Sequence, residues 1–210
     1  MLQVIPFVLG PVTTNAYLIA DDITGEAVVI DPAWDGQVIA AEAQQRGWHI
    51  GQIWVTHAHF DHFAGVGDLL AGLTPPASIA LHPADLSLWR MKGGAEWFGI
   101  RIETAYQPDI LLQPTQVLRV GQHVFEVRHT PGHSPGHVIF YCAAENLAFC
   151  GDTIFAGSIG RTDLPGGDEQ TLIESIHREI FTLPEATRLL SGHGEETSVE
   201  KEKRTNLYLR

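Results

Sequence analysis

The chain has 210 residues, with 25 Asp and Glu against 13 Lys and Arg, and a formal charge of −12. That acidity argues against a nucleic-acid surface, which needs clustered cations, and no apolar run is long enough to span a bilayer. The N-terminus, Met1-Leu2-Gln3-Val4-Ile5, lacks the basic region, apolar stretch and cleavage site of a secretory leader. The expectation is a cytoplasmic protein without nucleic-acid or membrane partners, either a monomer or a small homo-oligomer.

Residues 2–8 and 15–20 read as strands joined by a turn containing Gly10-Pro11, and Ala27-Val28-Val29-Ile30 as a third, ending at Asp31-Pro32. The next segment predicts a helix from Asp35 to Arg46, capped by Asp35 and stopped by Gly47, with Val38, Ile39 and Ala43 as its apolar stripe. Ile53-Trp54-Val55 marks a buried strand over 52–56. A short helix over 65–71, a strand over 78–81 and a helix from His82-Pro83 to Met91 follow, Pro83 suiting the first turn. Residues 89–107 are irregular and aromatic, with Trp89, Met91, Trp97, Phe98 and Tyr106 beside Gly93-Gly94 and Gly99. Such a segment either covers a pocket or fills the edge of a core.

Strands over 117–120 and 124–129 come next, then a hairpin over 137–150 that carries Cys142 and Cys150 as reduced, buried residues. A helix over 168–181 shows Leu172, Ile173, Ile176 and Ile180 on one face. A last strand covers 188–191, and Thr197-Ser198-Val199-Glu200 fits a capping box for a terminal helix. Two halves of strands followed by helices predict an α/β chain of two packed sheets flanked by helices, organised as one domain over 1–210.

The chemistry concentrates in Thr56-His57-Ala58-His59-Phe60-Asp61-His62. Three imidazoles and a carboxylate in six positions supply the N and O donors that Zn²⁺, Fe and Mn accept. His57 and His59 leave an extended segment on one side, and Asp61 and His62 follow where the chain must turn. Later strand ends add His133 after Thr130-Pro131-Gly132, Asp152 after Gly151, and His193 after Ser191-Gly192. Seven donors suffice for two metals if one carboxylate bridges. Asp31 is the candidate to orient a ligand imidazole, with capping of the turn at 31–35 as its alternative. His129 and His137 either line the site or serve the fold, and His49, His82, His123 and His177 are assigned surface or capping roles.

His-x-His-x-Asp-His followed by His133, Asp152 and His193 resembles the metal motifs of the metallo-β-lactamase superfamily, in order and over nearly the whole chain. The resemblance implies the αββα sandwich of that fold. It implies that His57, His59 and His133 hold one divalent metal and Asp61, His62 and His193 a second, with Asp152 bridging. Zinc is the first expectation, iron or manganese the others.

Within the superfamily, Gly151-Asp152-Thr153 through Gly160-Arg161 resembles the glyoxalase II group, which hydrolyses S-D-lactoylglutathione through a water activated between two metals. A small-molecule thioester is then the substrate, Asp61 both binds metal and steers the water, and Arg161 lies near the glutathione portion. The chain departs from that group at Asp163 and Glu195, where tyrosines are usual, and lacks the C-terminal helical domain that completes the glutathione site. Gly160-Arg161-Thr162-Asp163 also resembles persulfide dioxygenases, in which His57, His133 and Asp152 would hold one Fe(II). A non-catalytic metal-binding domain is the third reading.

Overall fold

The computed structural model describes residues 1–103 and 105–210. Its first half builds β1 (Leu2–Leu9), β2 (Thr14–Asp21), β3 (Glu26–Ile30), α1 (Gly36–Arg46), β4 (His49–Trp54), α2 (Phe60–Phe63), α3 (Val66–Ala71), β5 (Ser78–Leu81), α4 (Leu86–Arg90) and β6 (Ile110–Leu111). The second half builds β7 (Val117–Val120), β8 (His123–His129), β9 (Val138–Cys142), β10 (Leu147–Gly151), β11 (Ile154–Phe155), β12 (Ser158–Ile159), α5 (Glu169–Ser175), β13 (Arg188–Ser191), β14 (Thr197–Ser198) and α6 (Val199–Thr205).

Strands β1 to β6 lie in chain order in one sheet, while the second runs β14-β13-β10-β9-β8-β7. The first is antiparallel through β1, β2 and β3 and parallel from β3 to β6. In the second, β10 and β13 pair in parallel and the other neighbours are antiparallel. Parallel strands need a covered face on each side, and three apolar layers supply it. Ile39, Ala43, Leu69 and Leu70 of α1 and α3 pack on the first sheet. Leu172, Ile176 and Val199 pack on the second. Between the sheets lie Ile19, Ile30, Trp54, Phe125, Phe140 and Phe149. The order helix, sheet, sheet, helix is the αββα sandwich.

Strand β4 shows how this layering aims the site. Alternation sends Ile53 and Val55 to the helical layer and Trp54 into the layer between the sheets. Trp54 is fully buried, with the Phe125 and Phe140 rings each 5.2 Å from its own. The strand is thereby fixed against both sheets just before it releases His57.

Local details depart from the sequence expectations. Asp35 does not cap α1 with its side chain; its backbone is left-handed, at φ 44°, and Gly36 rather than Val38 joins Ile39, Ala40 and Ala43 on the buried face. Val38 points to solvent. Asp61 and His62 lie on the one-turn helix α2. The helix expected over 82–91 is a 3₁₀ turn, Pro83–Asp85, leading into α4, with His82 accepting from the Ala84 amide as its cap. The helix expected over 168–181 loosens after Ser175 into a π-helical turn, Ile176–Ile180, with Ile173 only half-buried. Ser198, not Thr197, caps α6, accepting from the Lys201 amide, while the Thr197 hydroxyl is turned to the Glu202 carboxylate. Cys142 and Cys150 are free and buried, as expected. Among the described residues no helix is long and apolar enough to cross a membrane.

The segment 89–107 is both things proposed for it, apart from Thr104, which lies outside the described residues. Trp89 is buried and stacks on Phe63, with ring centroids 4.0 Å apart, whereas Trp97 and Phe98 are exposed. Gly93 adopts φ +60° against the Ala58 carbonyl and the Phe60 backbone, where a Cβ would collide. The segment is thus seated on the histidine loop itself.

Trp54→Ala should cost about 3–5 kcal/mol, the usual range for emptying a packed aromatic site. A fall in the urea midpoint of unfolding checks it, and an unchanged midpoint would refute the central role given to this side chain.

Candidate metal centre

The seven donors come from five separate places at one edge of the two sheets: the exit of β4 (His57, His59), α2 (Asp61, His62), and the ends of β8 (His133), β10 (Asp152) and β13 (His193). His133 Nε2 lies 2.8 Å from His59 Nδ1 and 3.1 Å from His57 Nε2. On the other side, Asp61 Oδ2 lies 3.4 Å from His62 Nε2 and 3.2 Å from His193 Nε2. Asp152 stands between them. Its Oδ1 is 3.3 Å from His62, while its Oδ2 is 3.6 Å from His133 and 3.5 Å from His193. His57-His59-His133, His57-His62-Asp152 and Asp61-His62-His193 are each compact enough to hold a cation.

Whether a cation suits these residues can be judged from their unused atoms. His62 Nε2 and Asp152 Oδ1 are buried and have no hydrogen-bond partner among the described residues. Leaving buried polar atoms unpartnered is costly. His62 Nε2 and Asp152 Oδ1 face one another across the gap a cation would fill. The outer nitrogens are, by contrast, held. His62 Nδ1 bonds Asp31 Oδ2 at 2.9 Å, His133 Nδ1 donates to the Arg161 carbonyl at 2.7 Å, and His57 Nδ1 lies 3.1 Å from Thr56 Oγ1. This outward anchoring is the arrangement that orients metal-ligating imidazoles. The donors fit divalent metal.

Charge tells the same story. Burial, reinforced by the neighbouring imidazoles, pushes His57 well below the usual histidine range and His59 down to about 3, so both are neutral lone-pair donors at physiological pH. Burial opposes charge on His62 and His193 too, but Asp152 and Asp61 outweigh it. His62 rises well above its usual value and His193 to about 10. Burial alone would raise Asp61, yet His62 and His193 hold it at about 2. Without a cation, then, protons on two histidines neutralise the two carboxylates.

Asp31 serves the site rather than a turn. It is buried, with φ 49°, and its carboxylate accepts from Thr56 N and Thr56 Oγ1, both at 2.7 Å, besides holding His62. His137 stacks behind His57, with centroids 4.8 Å apart, and its Nε2 accepts from the Asp152 amide at 3.0 Å. His129 faces away from the centre, stacking on His82 and contacting the Pro135 carbonyl at 2.9 Å. His49 and His177 are exposed, and His123 pairs with Glu145 at 3.2 Å.

Three contributors escaped the sequence reading. Asp85 has no solvent exposure, and its carboxylate accepts from Ala58 N (2.9 Å), Ser134 Oγ (2.7 Å) and Gly136 N (2.6 Å). It ties the His57-His59 loop to the His133 loop. Thr14 Oγ1 donates to Asp61 Oδ2 at 2.9 Å, while Asn15 Nδ2 donates to the Ser191 and Gly194 carbonyls around His193. A Pro83-Ala84-Asp85 turn resembles any helix start, and no local signal marks it.

A cavity of about 180 Å³ opens over the donors, lined by His59, Asp61, His133, Asp152 and His193 and walled by Val12, Phe60, Phe98, Ile100, Arg161 and Leu164. Arg161 is therefore at the pocket, as expected of a substrate contact. Its guanidinium is paired with Asp163 at 2.8 Å.

An αββα sandwich with clustered His and Asp donors at one sheet edge is the layout of a divalent-metal hydrolase. A family model described as the metallo-beta-lactamase superfamily matches residues 9–193, and the chain belongs to that superfamily. It is 39% identical over 208 residues to the probable metallo-hydrolase YqgX of Bacillus subtilis, covering 96% of this chain and 94% of that one. It is 32% identical over 203 residues to the hydroxyacylglutathione hydrolase GloC of Haemophilus influenzae, covering 95% of each. Among solved structures it is similar to the BLEG-1 B3 metallo-beta-lactamase (TM-score 0.91, 38% identity, 100% and 99% covered). It is also similar to TTHA1623 in a di-iron-bound form (TM-score 0.88, 39% identity, 98% and 100% covered).

The protons on His62 and His193 occupy lone pairs a cation needs, so uptake of Zn²⁺ at neutral pH should release protons and affinity should fall as pH falls. Calorimetry in two buffers of different ionisation enthalpy reads the release directly; buffer-independent heats would contradict it. Asp85→Ala should weaken metal binding by about 10–100-fold, the range for residues that orient ligands, in a chelator competition titration.

Proposed function

We propose that this chain is a metal-dependent thioesterase of the glyoxalase II kind, with S-D-lactoylglutathione as the first substrate to test and D-lactate and glutathione as products. The observation that carries it is the convergence of the donors around Asp152, whose carboxylate lies within 3.6 Å of His133 on one side and 3.3 and 3.5 Å of His62 and His193 on the other. The similarity to a hydroxyacylglutathione hydrolase over nearly the full length of both chains supports the substrate class.

In this reading His57, His59 and His133 hold one divalent cation, Asp61, His62 and His193 the other, and Asp152 bridges, with zinc, iron or manganese all compatible with the donors. Bound there, the cations supply Lewis acidity, polarising the thioester carbonyl and making water acidic enough to act as a nucleophile near neutral pH. The chain's own residues do the rest. Asp61, fixed by Thr14 and facing the pocket, accepts a hydrogen bond from the attacking water and aims it. The apolar wall around Phe98, Ile100 and Leu164 limits bulk water around the acyl group. The thiolate leaves without a strong general acid.

The Fe(II) persulfide dioxygenase reading uses only His57, His133 and Asp152 as ligands and leaves His59, Asp61, His62 and His193 as groups supporting them rather than as a second set of ligands. The non-catalytic reading leaves the open pocket unexplained. The two-cation hydrolase accounts for all of these features.

Zn-reconstituted protein should hydrolyse S-D-lactoylglutathione, and a chelator should stop it. Asp61→Ala should lower kcat by roughly a hundredfold or more, as loss of a group acting on the nucleophile does, with the fold intact by circular dichroism. Turnover like that of the native chain in this variant would sink the assignment. Hydrolysis of a chromogenic β-lactam without thioester hydrolysis would move the function to the other activity named among its structural neighbours.

A further inference from the structure

Apart from Phe60 of the donor loop, the pocket wall comes from three segments that carry no metal donor: Val12 in the turn after β1, Phe98 and Ile100 beyond Gly94, and Arg161 and Leu164 beyond β12. Among the described residues that line it, Arg161 is the one Lys or Arg, and the histidines there are metal donors. Recognition of a negatively charged tail would fall to this guanidinium.

That guanidinium is already engaged. Nε donates to Asp163 Oδ1 and Nη2 to Oδ2, both at 2.8 Å, in the two-pronged geometry by which arginine grips carboxylates best. Its head lies 5.9 Å from the Phe98 ring centroid, which lays it along the pocket wall. The hydrogen bonds from Arg161 hold the Asp163 carboxyl at about 2, so the pair stays charged, and sums to zero, across the physiological range. Both partners are half-exposed or more, 51% and 66%, so the pair contributes little to the fold. Its consequence is for what approaches the pocket. An incoming carboxylate must either displace Asp163 from the Nε–Nη2 edge or take the Nη1–Nη2 edge, and in both cases it remains beside the Asp163 charge. An uncharged thiol tail meets Val12, Phe98, Ile100 and Leu164 and incurs neither penalty.

We propose that Asp163 cancels Arg161 as an anchor for carboxylates, so that the site takes acyl thioesters of neutral thiols at least as well as those of anionic thiols such as glutathione. Asp163 is then a specificity-determining residue. The inference rests on the thioesterase reading, and its test is chosen to be independent of turnover.

Two thioethers that cannot be hydrolysed, S-methylglutathione and S-methyl-N-acetylcysteamine, would be titrated calorimetrically into the Zn-loaded protein. The native chain should bind the neutral probe at least as tightly as the anionic one. Asp163→Asn should shift the ratio of the two Kd values about fivefold toward S-methylglutathione, the size expected on removing one charge at contact distance in water. Adding Arg161→Met should abolish that shift. Tighter binding of S-methylglutathione by the native chain would overturn the proposal. So would an unmoved or reversed ratio in Asp163→Asn, a reversal meaning that Asp163 instead holds Arg161 in place for an anion. Failure of thioester hydrolysis would count against the functional reading, while these ratios decide the role of Asp163.

Discussion

Two carboxylates with almost no access to water, Asp31 and Asp85, hold the centre together. A buried carboxylate is tolerated only when its lone pairs are filled, and each fills them with groups from the donor loops. Asp31 takes the amide and hydroxyl of Thr56 and the outer nitrogen of His62. Asp85 takes an amide between His57 and His59 and two groups flanking His133. Remove either, and loops separated by dozens of residues lose their common reference. The donors converge because the fold would otherwise bury charge without partners.

The sheets supply the coarse placement that these carboxylates refine. Strands β4, β8, β10 and β13 all end at one edge, and each releases its donor within a few residues of its last ladder bond. The layer between the sheets, centred on Trp54, keeps those ends in register. Backbone and side-chain contacts from the start of β2 then close the side nearest His193, with Asn15 N bonded to the Gly192 carbonyl at 2.7 Å. Gly192 itself packs against Asp152 and His62 so closely that a side chain would enter the cluster.

How much of this was legible in the sequence follows from the range of each interaction. The layering could be read because burial on alternating strands and helical stripes is a local pattern. The donors could be read because three of the seven follow a glycine at a recognisable strand end, and the other four lie inside the histidine loop. Asp85 could not: its partners lie 27, 49 and 51 residues away, and two of the three are backbone amides, which carry no residue identity. Thr14, 47 residues from Asp61, was hidden in the same way. The cap at Asp35 and the place of Val38 do not follow the sequence pattern because Asp35 is left-handed and Gly36 packs against Gly65 and Leu69 where a Cβ would collide, a long-range contact that helps set the buried face of α1. Arg161 lies at the pocket, and its pairing with Asp163 two positions on shows only in the folded geometry, since two side chains on one loop can point together or apart.

Gly93 links the aromatic segment to the histidine loop by backbone contact alone. The wall of the pocket therefore inherits its position from the donors, while its chemical character comes from side chains at 12, 98, 100, 161 and 164 that supply no metal donor themselves. Chemistry and selectivity are written in different residues. Divergence of specificity in such a chain can proceed by exchanging side chains on the wall, with the reactive centre undisturbed. The seat at Gly93 is the point where that independence ends, since any side chain there would move wall and donors together.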